Sequence, residues 1–316
     1  MSALTVNDLK DIHDWLKDEL HVPEDHIKEW ADAPKKLYRE PSPQDFVYWL
    51  LDCDEKAKDA LTKNGPARFP LGDRLYLYYA GHGYNATTAQ QSMIMPVSTR
   101  KTWIGVPMIP FRESVRLRGY FKEIVVVFDA CRDVLGYAKD LSWPDQPDSA
   151  SSSNDVRVFS AFASKSGKKA KEQQFGDGRW CGVLTQAFLA GAKAYAADDE
   201  GVVYADALKK FVFAAVKDRL GVDHDPEVED DSDPNDPSSW PLFYAPRKLP
   251  RIVFKPVKTL QGKAALRRIA TGEIVQIDLS AGTQALEVPY GYYGLTLPGL
   301  PEQKIIAAWE DKIVEA

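Results

Sequence analysis

Three apolar runs that stop abruptly at small or polar residues constrain this chain more than any other feature. They are LYLYY (75–79) running into AGHG, IVVVF (124–128) running into DACR, and VRVFSAF (156–162) running into a polar loop. Runs of aliphatic and aromatic residues with little polar alternation read as buried strands. Helical spacing fills the stretches around them. Leu9, Ile12, Trp15, Leu16 and Leu20 predict a helix over 6–20, and Phe46, Trp49, Leu50 and Leu61 predict the inward face of another over 43–63. Two more are expected at 182–194 and 204–220. Continuous strands alternating with helices predict an α/β fold, a mostly parallel sheet flanked by helices.

The pattern changes along the chain. Residues 138–155, AKDLSWPDQPDSASSSND, are rich in Ser, Asp and Pro and read as a mobile loop. Residues 221–250, with DHDPEVEDDSDPNDPSSWP, read as an acidic, proline-punctuated linker. Beyond it, short alternating segments at 251–256, 263–269, 273–278, 284–288 and 291–297 are separated by turn residues, which predicts a small β-sandwich-like module over 251–316. The expected organisation is therefore an α/β domain over 1–220, a linker and a small all-β module.

Composition narrows the function. Lys and Arg number 40 against 46 Asp and Glu, a net charge of -6, so the basic footprint of a nucleic-acid binder is missing. No apolar run approaches a membrane span, and the opening MSALTVNDLKDIHDWLKDEL is a charged amphipathic stretch without a signal-peptide core, so no membrane association and a cytoplasmic location are expected. Cys53, Cys131 and Cys181 are odd in number and widely spaced, which disfavours a disulfide framework and a structural metal site. Neither a phosphate loop of the G-x-x-x-x-G-K-[ST] type nor a G-x-S-x-G elbow is present.

In an open parallel sheet, reactive groups gather at the carboxyl ends of the strands. That rule picks out His82 after one run and Cys131 after another. A thiol attacks a carbonyl as its thiolate, and a neighbouring imidazole can take its proton. Gly81 and Gly83 would let backbone approach a substrate, leaving the amides of Gly83 and Cys131 to hold an oxyanion. The plainer reading is a small buried thiol and a turn histidine. Cys53 and Cys181 lack a histidine in a comparable setting and read as structural.

GDRLYLYYAGHG and IVVVFDACRD resemble the His and Cys segments of the caspase-like cysteine peptidases, the clan of caspases, metacaspases and their bacterial relatives. VRVFSAFASKSGKKAKEQ with GVLTQAFLAGAKAYAADDEGVVYADALKKFV is similar to the small-subunit half of bacterial members, and LTVNDLKDIHDWLKDELHVPEDHI to the family's first helix. The likeness spans about residues 4–220 and omits the β module. It implies a peptidase domain with Cys131 as nucleophile and His82 as general base and acid, acting on a peptide or protein substrate without a cofactor. Asp129 falls where metacaspases carry Asp and caspases Gln, and Asp8 matches a second acid of the same pocket. Together they imply cleavage after Arg or Lys. Either could instead be a helix N-cap.

The family's first strand is expected just before Asn7, where only MSALTV stands, so either the start lies upstream, the sheet does without that strand, or another chain or segment fills its place; Arg132 stands where many metacaspases carry His. Members are often cut between their two halves, which makes Lys139, Arg157, Lys165, Lys168, Lys169 and Lys171 candidate self-cleavage positions; the lysine cluster could equally be a solvated loop. Some metacaspases answer to calcium, for which acidic residues at 223–236 and Asp198, Asp199 and Glu200 are candidate ligands, although they lack an EF-hand spacing. A substrate strand would lie against the sheet edge near 160–164. A protein activator or regulator is compatible with the family. The alternative reading is a catalytically silent caspase-like scaffold that binds peptides or partners.

Overall fold

The apolar runs do become strands, and their register builds the domain. The computed structural model describes residues 4–30, 42–87, 90–95, 98, 103–134, 138–140, 155–165, 167–175, 178–221, 224–255, 262–299, 303–309 and 311–315. Helix α1 (Leu4–Asp14) passes into a π-helical turn over Trp15–Glu19. Helix α2 (Pro43–Asn64) begins at a capping box, in which the Ser42 amide donates to the Asp45 carboxylate at 2.8 Å and Pro43 opens the first turn. Then come β1 (Gly72–Gly81), β2 (Gly83–Thr87), β3 (Gln90–Ile94), β4 (Trp103–Pro107), α3 (Met108–Arg118), β5 (Phe121–Ala130), β6 (Asp133–Val134), β7 (Ala138–Asp140) and β8 (Arg157–Phe162). A hairpin of β9 (Glu172–Gln174) and β10 (Trp180–Gly182) leads into α4 (Val183–Ala190), β11 (Val202–Tyr204), α5 (Ala205–Leu220), β12 (Glu227–Asp230) and β13 (Pro241–Tyr244).

The central sheet has the order β1-β5-β8-β12; β1, β5 and β8 run parallel and β12 is antiparallel. Along β5, alternate side chains enter two cores. Val125 and Val127 pack with Ile12 of α1, Trp15 of the π-helical turn, and Phe188 and Phe211 of α4 and α5. Ile124, Val126 and Phe128 pack with Leu50, Phe111 and Val115 from α2 and α3. A strand covered on both faces needs no polar alternation, which is why β5 reads as an unbroken apolar run. Burying each such side chain contributes about 1.5–3 kcal/mol. Trp15 anchors the first core, edge-on to Phe243 at 5.1 Å and Phe188 at 5.5 Å between ring centres.

Several expectations need correcting. Leu61, expected to face inward, lies exposed near the end of α2. Strand β1 is half-buried rather than fully buried, because it ends the sheet and only β5 pairs with it among the described residues. The acidic stretch 221–250 is not a linker: Glu227–Asp230 is the β12 strand of the central sheet, and Pro241–Tyr244 pairs with β11. Its prolines and acids punctuate turns, while Val228, Trp240, Leu242 and Phe243 are buried in the main core.

The C-terminal strands follow the expected segments: β14 (Arg251–Lys255), β15 (Lys263–Arg268), β16 (Ile274–Asp278), β17 (Gln284–Glu287) and β18 (Gly291–Thr296), joined by β19 (Gln303–Ala308) and β20 (Lys312–Glu315). They form two sheets, β17-β14-β20 and β16-β15-β18-β19, which share one core that includes Ile252, Phe254, Leu266, Leu295 and Ile306. The module is also seated on α5, where Phe211 meets the Trp309 ring at 6.0 Å and the Tyr290 ring at 5.8 Å. Among the described residues no helix is long and apolar enough to cross a membrane.

Candidate active site

Parallel pairing of β1 with β5 sets Gly81 opposite Ala130, and parallel pairing of β2 with β6 sets Tyr84 opposite Asp133. Both pairs are 49 positions apart, as are His82 and Cys131, so these two residues occupy facing positions where the main sheet ends and the second sheet begins. That second sheet has the order β6-β2-β3-β4-β7. Neighbouring strands lie about 4.8 Å apart, so the backbones at these two positions are neighbours. His82 is exposed and Cys131 half-exposed, whereas Cys53 and Cys181 are buried. Burial also pushes the Cys53 thiol up to about 11, away from reactive thiolate.

The backbone around the pair is held tightly. The His82 carbonyl accepts from the Ile94 amide at 2.9 Å and the Tyr79 hydroxyl at 2.7 Å. Gly81 has φ +153°, and a Cβ there would stand 2.9 Å from the Tyr79 hydroxyl oxygen. A Cβ on Gly83 would stand 2.5 Å from the Cys131 carbonyl oxygen and 3.0 Å from Ala130 Cβ, so only glycine lets the two turns touch backbone to backbone. On the other side, the Arg132 amide donates to the Lys168 carbonyl and the Gly167 amide to the Arg132 carbonyl, each at 2.9 Å. The Arg132 guanidinium is buried, ion-paired with Glu227 and packed over Phe162. Arg132 therefore ties the loop after β5 to β12, a role that its sequence setting did not signal.

Asp8 and Asp129 come together although they are far apart in the chain. A Cβ on Gly182 would stand 2.8 Å from Asp129 Cγ, closer still to Asp129 Oδ2, and 3.2 Å from Asp8 Oδ2. The Gly182 amide donates to Asp8 at 2.9 Å; the Thr185 amide and hydroxyl donate to Asp129 at 2.9 and 2.7 Å. Both carboxylates thus meet the amino end of α4, where exposed amides and the helix dipole favour negative charge. Asp8 lies within α1 and is not an N-cap of it; Asp129 caps a helix distant in sequence. Burial, then the Asp129 charge, holds Asp8 up at about 7. Burial likewise raises Asp129 to about 6 against the lowering effect of the Thr185 bonds. Around them Asn7 donates to the Trp180 carbonyl at 3.0 Å, and Arg179 and Gln186 donate to Asp11 at 2.8 and 2.9 Å. Thr185 and Gly182, which assemble this cluster, carry no distinguishing local pattern in the sequence.

The remaining candidates separate. Lys139 lies in β7, and most of the 138–155 loop falls outside the described residues. Arg157 is built into β8, donates to the Ser239 carbonyl at 3.1 Å and lies over the Trp240 ring, so cutting there would require opening the sheet. Lys165, Lys168, Lys169 and Lys171 are exposed on the loop docked against Arg132, with Lys165 paired to Asp225 at 3.0 Å. The sheet edge at 160–162 is not open to a substrate strand, because Ser160, Ala161 and Phe162 pair with β12. Of the acids offered for calcium, Asp198 accepts from the Glu200 and Val202 amides, Asp225 pairs with Lys165 and Lys217, and Asp230 pairs with Lys209. Among the described residues no group of three or more His, Cys, Asp or Glu is placed to hold a metal ion.

No curated protein matches the sequence. Among solved structures, the crystal structure of protein GSU0716 from Geobacter sulfurreducens is similar at 13% identity and a TM-score of 0.34, over 61% of this chain and 77% of that one. A family model described as the caspase domain matches residues 54–229, more than half of the chain and including both His82 and Cys131. With its helix-flanked, mostly parallel sheet, the chain belongs to the caspase-domain family of peptidases.

Proposed function

We propose that this chain is a cytoplasmic bacterial cysteine endopeptidase that cleaves after Arg or Lys, with Cys131 as nucleophile and His82 as its base. The observation that carries this reading is the shared register of His82 and Cys131, with Gly83 pressed against the Cys131 backbone. His82 takes the thiol proton as Sγ attacks the peptide carbonyl carbon. The amides of Gly83 and Cys131 hold the oxyanion, and the imidazolium returns its proton to the leaving amine. Water, deprotonated by His82, then releases the acid from the thioester. Both reacting groups are side chains, so the proposed chemistry calls on no cofactor. Asp8 and Asp129 form the acidic floor of the pocket for the residue before the scissile bond. Self-processing in the 138–155 loop, after Lys139, or after Lys165, Lys168, Lys169 or Lys171 extends the same preference. Intact mass after incubation of the wild type, compared with Cys131→Ala, tests it.

Fluorogenic peptides ending in Arg, Lys or Asp test the main reading. Cleavage after Arg or Lys that disappears in Cys131→Ala is expected. One observation favours a second reading, a silent scaffold that binds peptides or a protein regulator: both acids are buried and occupied by the amino end of α4. Peptide binding without turnover by the wild type would select it.

A further inference from the structure

His82 stands between two glycines, Gly81 and Gly83, which leave the chain on either side of it more conformational freedom than any other residue would. Something must hold the turn. Tyr79 of β1 is paired directly with Phe128 of β5, and the two rings stack at 4.9 Å between centres. Phe128 is fully buried, so the phenol is seated on the core. Its hydroxyl reaches past Gly81, the next residue on the same face of β1, and donates to the His82 carbonyl at 2.7 Å. The Ile94 amide of β3 donates to the same carbonyl at 2.9 Å, and the Ile94 carbonyl lies 3.3 Å from the Tyr79 hydroxyl. A Cβ on Gly81 would stand 2.9 Å from that hydroxyl oxygen and 3.2 Å from Tyr79 Cζ, so the phenol fills the space that a side chain there would need.

Resting on the reading of the chain as a peptidase that works through Cys131 and His82, we propose that Tyr79 is a positioning residue of that reaction, whose hydroxyl fixes the His82 carbonyl and through it the direction of the imidazole and of the Gly83 amide. The peptide unit between His82 and Gly83 is planar, with its C=O and N–H pointing opposite ways. In the second sheet β2 lies between β3 and β6, and β6 begins two residues after Cys131. Holding the His82 carbonyl on Ile94 of β3 therefore turns the Gly83 amide toward the Cys131 side, where the oxyanion would form. Tyr79 supplies the second bond to that carbonyl, from a ring that the core cannot easily release. It acts through His82 and Gly83 rather than on the reacting atoms.

The test uses Tyr79→Phe, which keeps the ring on Phe128 and removes only the hydroxyl. With peptides ending in Arg or Lys, kcat is expected to fall about tenfold with KM unchanged, because an amide aimed at the oxyanion counts only in the transition state and the Ile94 bond still holds part of the alignment. A second readout needs no turnover: the pH profile of Cys131 alkylation by iodoacetamide, followed by mass spectrometry of the Cys131 peptide, in wild type, Tyr79→Phe and His82→Ala. A thiolate supported by His82 reacts at lower pH, and Tyr79→Phe should move the profile part of the way toward that of His82→Ala. An unchanged kcat in a folded Tyr79→Phe overturns the inference, as does a loss carried by KM alone, or a lower melting temperature with kcat and the alkylation profile intact. A wild-type profile in His82→Ala overturns the Cys131–His82 reading and this inference with it. A wild type that cuts no peptide overturns the peptidase reading, and the alkylation profiles then decide the positioning of His82 by themselves: equal profiles in wild type and Tyr79→Phe overturn it.

Discussion

Replacing Gly182 by alanine adds one methyl group at the point where α1, β5 and α4 exchange their charges. The backbone there, φ -67° and ψ 132°, accepts any residue, so the cost is purely one of space. The new Cβ would lie 2.8 Å from Asp129 Cγ and 3.2 Å from Asp8 Oδ2. Asp129 must withdraw, and with it the bonds from the Thr185 amide and hydroxyl at 2.9 and 2.7 Å. Overpacking costs about 1–3 kcal/mol and a bond to a charged group contributes about 1.5–3 kcal/mol, so with partial relaxation a loss of about 3 kcal/mol is expected. That corresponds to a melting temperature lower by roughly 5 °C or more. The assay is thermal unfolding followed by circular dichroism at pH 8, where Asp129 is ionised, for Gly182→Ala, Asp129→Ala and the double variant. Removing the carboxylate opens the space, so the methyl should cost at least about 1.5 kcal/mol less in the Asp129→Ala background. Equal costs in both backgrounds would refute the reasoning.

Three further predictions follow from the same geometry. Because Asp8 and Asp129 are held at about 7 and about 6 against 3.8, the folded chain binds more protons than the unfolded one between these values. Their contribution to stability is therefore present at low pH and lost as pH rises toward 7. Asp8→Asn should accordingly melt above wild type at pH 8, with the gap closing toward pH 4; a gap independent of pH would count against the burial argument. Gly83→Ala forces a methyl to 2.5 Å from the Cys131 carbonyl oxygen, and backbone cannot yield as a side chain does. Peptide cleavage should drop on the order of 100-fold, the scale expected of a misplaced reacting group, and near wild-type kcat/KM would sink the idea. Trp309→Ala removes the ring that seats the β module against Phe211, at a cost of about 3 kcal/mol or more. Calorimetry should resolve a separate, earlier transition for the module; a single unshifted transition would contradict its seating.

Much of this was readable from the chain. The runs ending at His82 and Cys131 place both residues after strands, and turn residues mark the five module strands expected beyond residue 250. Helix α3 went unseen, since Pro110 and scattered charges blur its period, although Phe111 and Val115 are fully buried. Strand β12 was hidden in an acidic run because it is a short edge strand whose charges meet Arg and Lys partners, as Glu227 meets Arg132 and Asp230 meets Lys209. That strand also occupies the edge assigned to a substrate. The pairing of β8 with β12 and the seating of Trp309 on α5 depend on residues far apart in sequence, and no local window contains them.

The sequence by itself determined the layered α/β architecture, the places of His82 and Cys131 after two strands, and the C-terminal run of short strands, because periodicity and strand-ending glycines act over a few residues. Tertiary structure alone decided the 49-residue parallel register that makes the backbones of His82 and Cys131 neighbours, and the meeting of Asp8 and Asp129 beside Gly182. Hydrogen bonding between strands and the shared amino end of α4 select those contacts, and both act only once distant segments have packed.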